Sequence, residues 1–128
     1  MTAECLAVAT GRVPAADVGL STLGIKLTTD GAIEIDDHCR VVGQTNVNAA
    51  GDVTGIAPFT HTANYQARIV AAAITGGCRA ADYRAIPPAV YTDPPIASVG
   101  MDFRTARSLG ISADSAEFDL KDLARATR

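Results

Sequence analysis

The run Asn48-Ala49-Ala50-Gly51-Asp52-Val53, followed closely by Phe59-Thr60-His61-Thr62-Ala63, constrains this chain more than any other stretch. It reads as a strand end of tiny residues, an acidic turn and the N-terminus of a long apolar helix. Ala49, Ala50 and Gly51 leave the main chain bare enough for a flat molecule to pack against it. An ionised Asp52 at a strand end accepts hydrogen bonds from hydroxyl groups. The helix start adds free N–H groups and a partial positive charge. Taken alone, Gly51-Asp52 is a common turn dipeptide, and an ordinary strand–turn–helix joint is the simpler reading.

Composition narrows the classes of function. The 128 residues, 48% apolar and 20% charged, are enough for one domain with a real core. They do not have the composition of a disordered chain. A net charge of −3, with the basic residues scattered, leaves no electrostatic footprint for nucleic acid. No apolar stretch approaches the roughly 18 residues that span a bilayer. The start, Met1-Thr2-Ala3-Glu4-Cys5, has neither a basic region nor a signal-like apolar run, so a cytoplasmic location is expected. Cys5, Cys39 and Cys78 are far apart and form no CxxC or Cys/His ligand spacing, so no metal site is expected. Cys5 reads as a small core residue and Cys39 as a loop residue after a strand, despite its neighbour His38. His38 itself is expected on the surface.

Along the chain, Cys5 to Thr10 is a continuous apolar run of the kind a buried parallel strand shows, ending at the turn Gly11-Arg12-Val13-Pro14. Leu20–Leu23 reads as a short helical turn closed by Gly24. Ile25-Lys26-Leu27 and Ala32-Ile33-Glu34-Ile35-Asp36 read as strands joined by Thr29-Asp30-Gly31, a strong hairpin signal. Val41-Val42 and Thr45-Asn46-Val47 then lead into the opening motif. From Thr60 to about Thr75, the spacing of Ala63, Gln66, Ile69, Val70, Ala73 and Ile74 predicts one face of a helix. Thr60 or Thr62 is expected to cap that helix, and Gly76-Gly77 to end it. Pro87-Pro88 marks a boundary. Past it, Ala89–Thr92 and Ile96–Val99 read as strands around Pro94-Pro95, and Asp102 caps a helix running to Leu109 before Gly110. The tail from Phe118 to Arg128 carries no assignment.

The order of these motifs resembles the pyridine nucleotide-disulfide oxidoreductases, the FAD enzymes that include glutathione reductase, dihydrolipoamide dehydrogenase and mercuric reductase. Ala9-Thr10-Gly11-Arg12-Val13-Pro14 resembles the turn where that family's NAD(P) domain hands back to its FAD domain. Leu23-Gly24-Ile25, Asp30-Gly31 and Ile33-Glu34-Ile35-Asp36 follow as in the family. Ala49-Ala50-Gly51-Asp52, the helix start at Phe59–Ala63 and Ile86-Pro87 come next. Tyr91-Thr92-Asp93-Pro94-Pro95-Ile96-Ala97-Ser98-Val99-Gly100 resembles the first strands of the family's dimer-interface domain. The likeness runs over nearly the whole chain.

The resemblance implies a partial α/β fold of the class I enzymes. Residues 1–14 would end the NAD(P)-binding domain, 15–84 would form the C-terminal part of the FAD-binding domain, and 85–128 would start an α+β dimerisation domain. It implies FAD, with NAD(P)H in the complete enzyme, and a homo-oligomer, either a dimer or a strand-exchanged assembly. Nucleic acid and membrane are not expected partners. Asp52, with Gly51, matches the family Asp that binds the flavin's ribityl chain. Thr60 matches a position whose backbone contacts the flavin ring. His61 beside it is expected to act through its backbone N–H, because the family's acid-base His comes from a C-terminal His-Pro-Thr motif. Gly11 matches a glycine near the nicotinamide dinucleotide, and Arg12 is either a cofactor-proximal cation or a solvated turn residue.

Departures from the pattern leave the substrate open. Asn48 stands where many members carry an aromatic; alternatively, Thr45-Asn46-Val47 aligns with the family's similar Thr-Asn-Val and a few residues are deleted. Pro-Pro-Ile is similar to glutathione reductases, whereas Thr62-Ala63-Asn64-Tyr65-Gln66 is closer to relatives of mercuric reductase. The Gly-x-Gly-x-x-Gly cofactor fingerprints, the redox cysteine pair and the acid-base His have no counterpart here. The expectation is therefore a fragment with no catalytic residue of its own, inactive by itself. A non-catalytic interaction module built from the same family is the competing expectation.

Overall fold

Ile25, Ile33, Val41 and Ala49 lie on successive short extended segments, and their side chains meet with Ala16 in one buried cluster. Leu20, Ile35, Val47 and Val53 pack around it half-buried. The computed structural model that places them describes residues 2–16 and 18–120. Isolated antiparallel bridges join the segments, Leu27 with Ile33, Ile35 with Val41, and Arg40 with Asn48. The Gly31 N–H donates to Thr28 O at 2.9 Å and closes the first turn, as the Asp30-Gly31 signal predicted. Val41 N–H donates to Val47 O at 2.9 Å, Ala49 N–H to Cys39 O at 3.1 Å, and Ile33 N–H to Val53 O at 2.8 Å. The last bond brings the Asp52 turn back over the start of the meander.

Leu20–Leu23 forms a single 3₁₀ turn that ends at Gly24 in the left-handed conformation. Helix α1 spans Thr60–Ile74, close to the predicted bounds. Its fully buried side chains are Thr62, Gln66 and Ile69, a narrower stripe than the spacing predicted. Ile74 lies at the last turn and is exposed. The predicted Thr cap does not form. Phe59 occupies the N-cap position in an extended conformation, and no side chain caps the helix. Thr60 and Thr62 lie inside the first turn, past the point where a side chain can fold back onto the leading amides.

After α1, strand β1 (Ala89–Val90) pairs antiparallel with β2 (Ile96–Ala97). The ladder is shorter than the predicted strands because Pro94 and Pro95 have no N–H to contribute at the connection. Helix α2 spans Phe103–Ser108, and Asp102 caps it as predicted, accepting from Thr105 N–H at 2.7 Å. Gly110 follows in the left-handed region. The remainder of the proposed 85–128 unit, from residue 121 onward, lies outside the described residues.

The segment Cys5–Thr10 corrects one expectation. It carries no ladder, and Leu6 and Val8 are 88% and 72% exposed. Cys5 is exposed rather than a core residue. A buried parallel strand needs a neighbour on each side to satisfy its amides, and no described segment supplies one. Among the described residues, no helix is long and apolar enough to cross a membrane.

Candidate functional site

The Asp52 turn is built by its glycines. Gly51 adopts φ 86° and ψ −157°, a region open essentially to glycine alone. A Cβ added there would sit 3.4 Å from the Ala63 methyl, so the turn rests directly against the first turns of α1. Residues Asp52–Thr54 then form one 3₁₀ turn, ended by Gly55 at φ 68°, where a Cβ would lie 3.0 Å from the Ala32 methyl and force a small shift. Two atoms of Gly51 are held. Its N–H donates to Gln66 Oε1 at 2.6 Å, and its carbonyl accepts from Thr54 Oγ1 at 2.8 Å.

This turn forms one side of an open cleft of about 570 Å³, lined among others by Arg12, Val13, Thr28, Asp52, Gly55 and Pro58. The Arg12 guanidinium donates to Pro58 O at 3.1 Å, tying the Gly11–Pro14 turn to the loop that leads into α1. Arg12 thus lines the cleft while remaining exposed to solvent. Asp52 is exposed at the cleft, and no hydrogen bond or ion pair engages its carboxylate among the described residues. Gly11 sits beside Arg12, on exposed and nearly extended backbone. Thr60 and His61 are both exposed at the uncapped start of α1, beyond Pro58. The His61 ring stacks on Phe59, with centroids 5.3 Å apart and planes inclined by 7°, which commits the ring to its neighbour and leaves the backbone N–H available. The Thr62 hydroxyl, fully buried in the same turn, has no hydrogen-bond partner among the described residues.

Beneath the turn lies a polar network that sequence reasoning missed. Gln66 donates through Nε2 to Thr54 Oγ1 at 3.2 Å and to Tyr83 OH at 3.1 Å. Tyr83 OH lies 3.8 Å from Cys39 Sγ. Burial pushes the Cys39 thiol above its ordinary value, the Tyr83 contact opposes this, and the negative charge of Asp36 adds to it. The Tyr83 hydroxyl is raised as well, chiefly by burial. Cys39 is therefore an inert, fully buried thiol, in line with its reading as a loop residue without chemistry. It takes positive φ (59°) in that loop. The sequence did hold one signal for the network, since Gln66 falls on the buried stripe of α1 and a buried amide has to be satisfied.

Around the next bend, His38 departs from its expected exposure. Its Nδ1 pairs with Arg79 O at 3.0 Å and only 23% of its side chain is exposed. Among the described residues, no group of three or more His, Cys, Asp or Glu side chains is placed to hold a metal ion.

A glycine-built acidic turn thus lies against an uncapped helix start at the mouth of a cleft. The family model described as pyridine nucleotide-disulphide oxidoreductase matches residues 1–67, and the chain belongs to that family. It is 40% identical over 117 residues to a dihydrolipoyl dehydrogenase of Geobacillus stearothermophilus, covering 91% of this chain and 25% of that protein. Dihydrolipoyl dehydrogenase 3 of Haloarcula marismortui is 33% identical over 127 residues, 98% of this chain and 26% of the relative. The chain thus spans about a quarter of the length of the curated relatives it matches. Among solved structures, LpdA from Mycobacterium tuberculosis superposes with a TM-score of 0.76 at 31% identity, over 89% of this chain and 25% of that one. The HOCl-induced flavoprotein disulfide reductase RclA from Escherichia coli gives 0.68 at 35% identity, over 78% and 23%. The chain shares the α/β fold of these disulfide oxidoreductases, whose complete enzymes work with FAD and NAD(P)H.

The residues present fit a flavin. The unengaged carboxylate of Asp52 is an acceptor for hydroxyl groups. The uncapped amides of α1 are donors for an electron-rich ring edge, and the bare backbone at Gly51 admits a flat group.

Proposed function

We propose that this chain contributes one wall of the flavin pocket and part of the subunit interface of an FAD-dependent NAD(P)H:disulfide, or related acceptor, oxidoreductase. In this reading residues 1–14 end an NAD(P)-binding domain, 15–84 form the C-terminal part of an FAD-binding domain, and 85–128 begin a dimerisation domain. Asp52 holds ribityl hydroxyls through its carboxylate. The backbone at Thr60 and His61 offers N–H groups that favour negative charge at the ring. Gly51 keeps the turn close, and Gly11, carried by the Arg12 tether, lies toward the nicotinamide side. Bound flavin would supply the hydride and electron transfer between pyridine nucleotide and acceptor. No residue of this chain is assigned a proton-transfer or disulfide-exchange role, and the chain alone is expected to be inactive. Three free thiols suit a reducing compartment, and the cytoplasm is the location we assign.

The observation that carries this reading is the unengaged Asp52 carboxylate on a glycine-built turn beside the uncapped start of α1. The test is complementation. The chain is mixed with an N-terminal segment of the Geobacillus stearothermophilus dihydrolipoyl dehydrogenase, taken from the part of that relative that this chain does not match. Retained FAD and its bleaching by NADH are expected. A stable complex of the two that holds no FAD would sink the reading. A second reading, a dimerisation module without redox function, draws support from the exposed apolar side chains Tyr91, Ile96 and Val99. Complex formation with no flavin effect favours it.

A further inference from the structure

We infer that Gln66 is the positioning residue that fixes the Gly51–Asp52 turn, and with it the aim of the Asp52 carboxylate into the cleft. The flavin half of this inference rests on the reading above.

Gln66 is fully buried, yet all its amide contacts are directed at one small region. The Gly51 N–H can only donate, so the atom 2.6 Å from it must be the amide oxygen. That places Nε2 toward the two hydroxyls, Thr54 Oγ1 at 3.2 Å and Tyr83 OH at 3.1 Å. Thr54 Oγ1 in turn donates to Gly51 O at 2.8 Å. One side chain of α1 thereby holds Gly51 at its amide directly and at its carbonyl through Thr54. Both bonds are needed because Gly51 occupies a sparsely populated conformation and a free glycine would leave it. Asp52 follows immediately and, among the described residues, is itself tethered by no side chain, so its direction is inherited from Gly51. Tyr83 anchors the far side of the Gln66 amide and fixes its rotamer. The helix that presents free amides at its start therefore also sets the acidic turn beside it, and the two halves of the site move as one body.

The test uses the full chain and two variants. In the unsubstituted chain the Gly51 amide proton is expected downfield and slow to exchange. In Gln66→Leu it moves upfield and exchanges about tenfold faster or more, the scale of one lost hydrogen bond. Core resonances of Ile33 and Val41 stay in place. Burial keeps the acid of Gln66→Glu neutral, so one oxygen accepts from the Gly51 N–H and the acid O–H donates to Thr54 Oγ1, which keeps its own bond to Gly51 O. The Tyr83 hydroxyl can turn to donate to the same acid, so the Gly51 signature returns. In the complemented complex, FAD affinity falls about tenfold in Gln66→Leu and recovers in Gln66→Glu. A Gly51 resonance and FAD affinity unmoved by Gln66→Leu overturn the inference, as does equal loss in both variants. Should Gln66→Leu lose its native spectrum, Gln66→Glu against the unsubstituted chain decides, a retained Gly51 signature supporting the inference and a lost one overturning it. If the unsubstituted complex binds no FAD, the functional reading fails and the flavin half of this inference with it. The Gly51 resonance then still decides whether Gln66 fixes the turn.

Discussion

Gly51 is the residue on which the site turns, and its demands are steric and conformational together. Its backbone angles exclude residues with a Cβ, and the Ala63 methyl stands in ordinary contact distance of where a Cβ would lie. Gly51→Ala should therefore destabilise the chain through backbone strain more than through crowding. A loss of about 1–3 kcal/mol is expected, read from urea unfolding. Asp52→Asn, by contrast, changes charge without changing the turn. The same distinction explains why Cys39 lacks chemistry although it sits beside a histidine. The thiol points into the fold toward Tyr83, whereas the His38 ring pairs with Arg79 O.

At the scale of elements, the two helices differ in how their starts are satisfied. Helix α2 is closed by the Asp102 carboxylate, and α1 has no capping side chain. Donation from Thr105 N–H, backbone first, holds the Asp102 carboxyl below its ordinary value. A lowered folded pKa means the cap contributes fully above the ordinary carboxylate range and is lost as pH falls through the lowered value. The Thr105 amide resonance should therefore track Asp102 protonation on acidification. Asp102→Asn should keep the α2 resonances and abolish that pH dependence, while Asp102→Ala should lose the helix start at all pH values. A Thr105 titration that persists in Asp102→Asn would contradict the assignment. Helix α1 gains its order instead from the buried stripe of Thr62, Gln66 and Ile69, which frees its leading amides for a ligand.

For the whole molecule, the distribution of apolar side chains is the informative quantity. The core is small, whereas Leu6, Val8, Val13, Tyr91, Ile96 and Val99 are each more than half exposed. They lie in two groups, one on the unpaired N-terminal segment and one around β1 and β2. Surfaces of this kind associate. The chain alone is expected to form dimers or larger assemblies by light scattering, with Ile96→Lys shifting the equilibrium toward monomer. A monodisperse monomer with a sharp two-state unfolding transition would contradict the expectation. The open meander fits the same picture, because isolated bridges leave amides that a longer protein or a second copy can satisfy.

Much of this was legible in the sequence, because local chemistry acts over a few residues. Asp30-Gly31 dictated its turn, helical spacing located α1, and Asp102 marked the start of α2. The order of the motifs, from Gly11-Arg12 through Gly51-Asp52 to Pro94-Pro95, was enough to name the family. What the sequence could not settle were properties that depend on distant partners. Whether Cys5–Thr10 becomes a buried strand depends on neighbours on both sides, and the described residues supply none. Whether Gln66 is merely a polar residue on an apolar stripe or the clamp on Gly51 depends on the packing of α1 against the Asp52 turn. That packing brings residues 51, 54, 66 and 83 within hydrogen-bonding reach. The sequence by itself determined the turn, the helix and the kinship. Only the tertiary structure decided that Asp52 opens on a cleft with its carboxylate unengaged among the described residues, since a hydrogen bond forms where the fold places its donor and acceptor together.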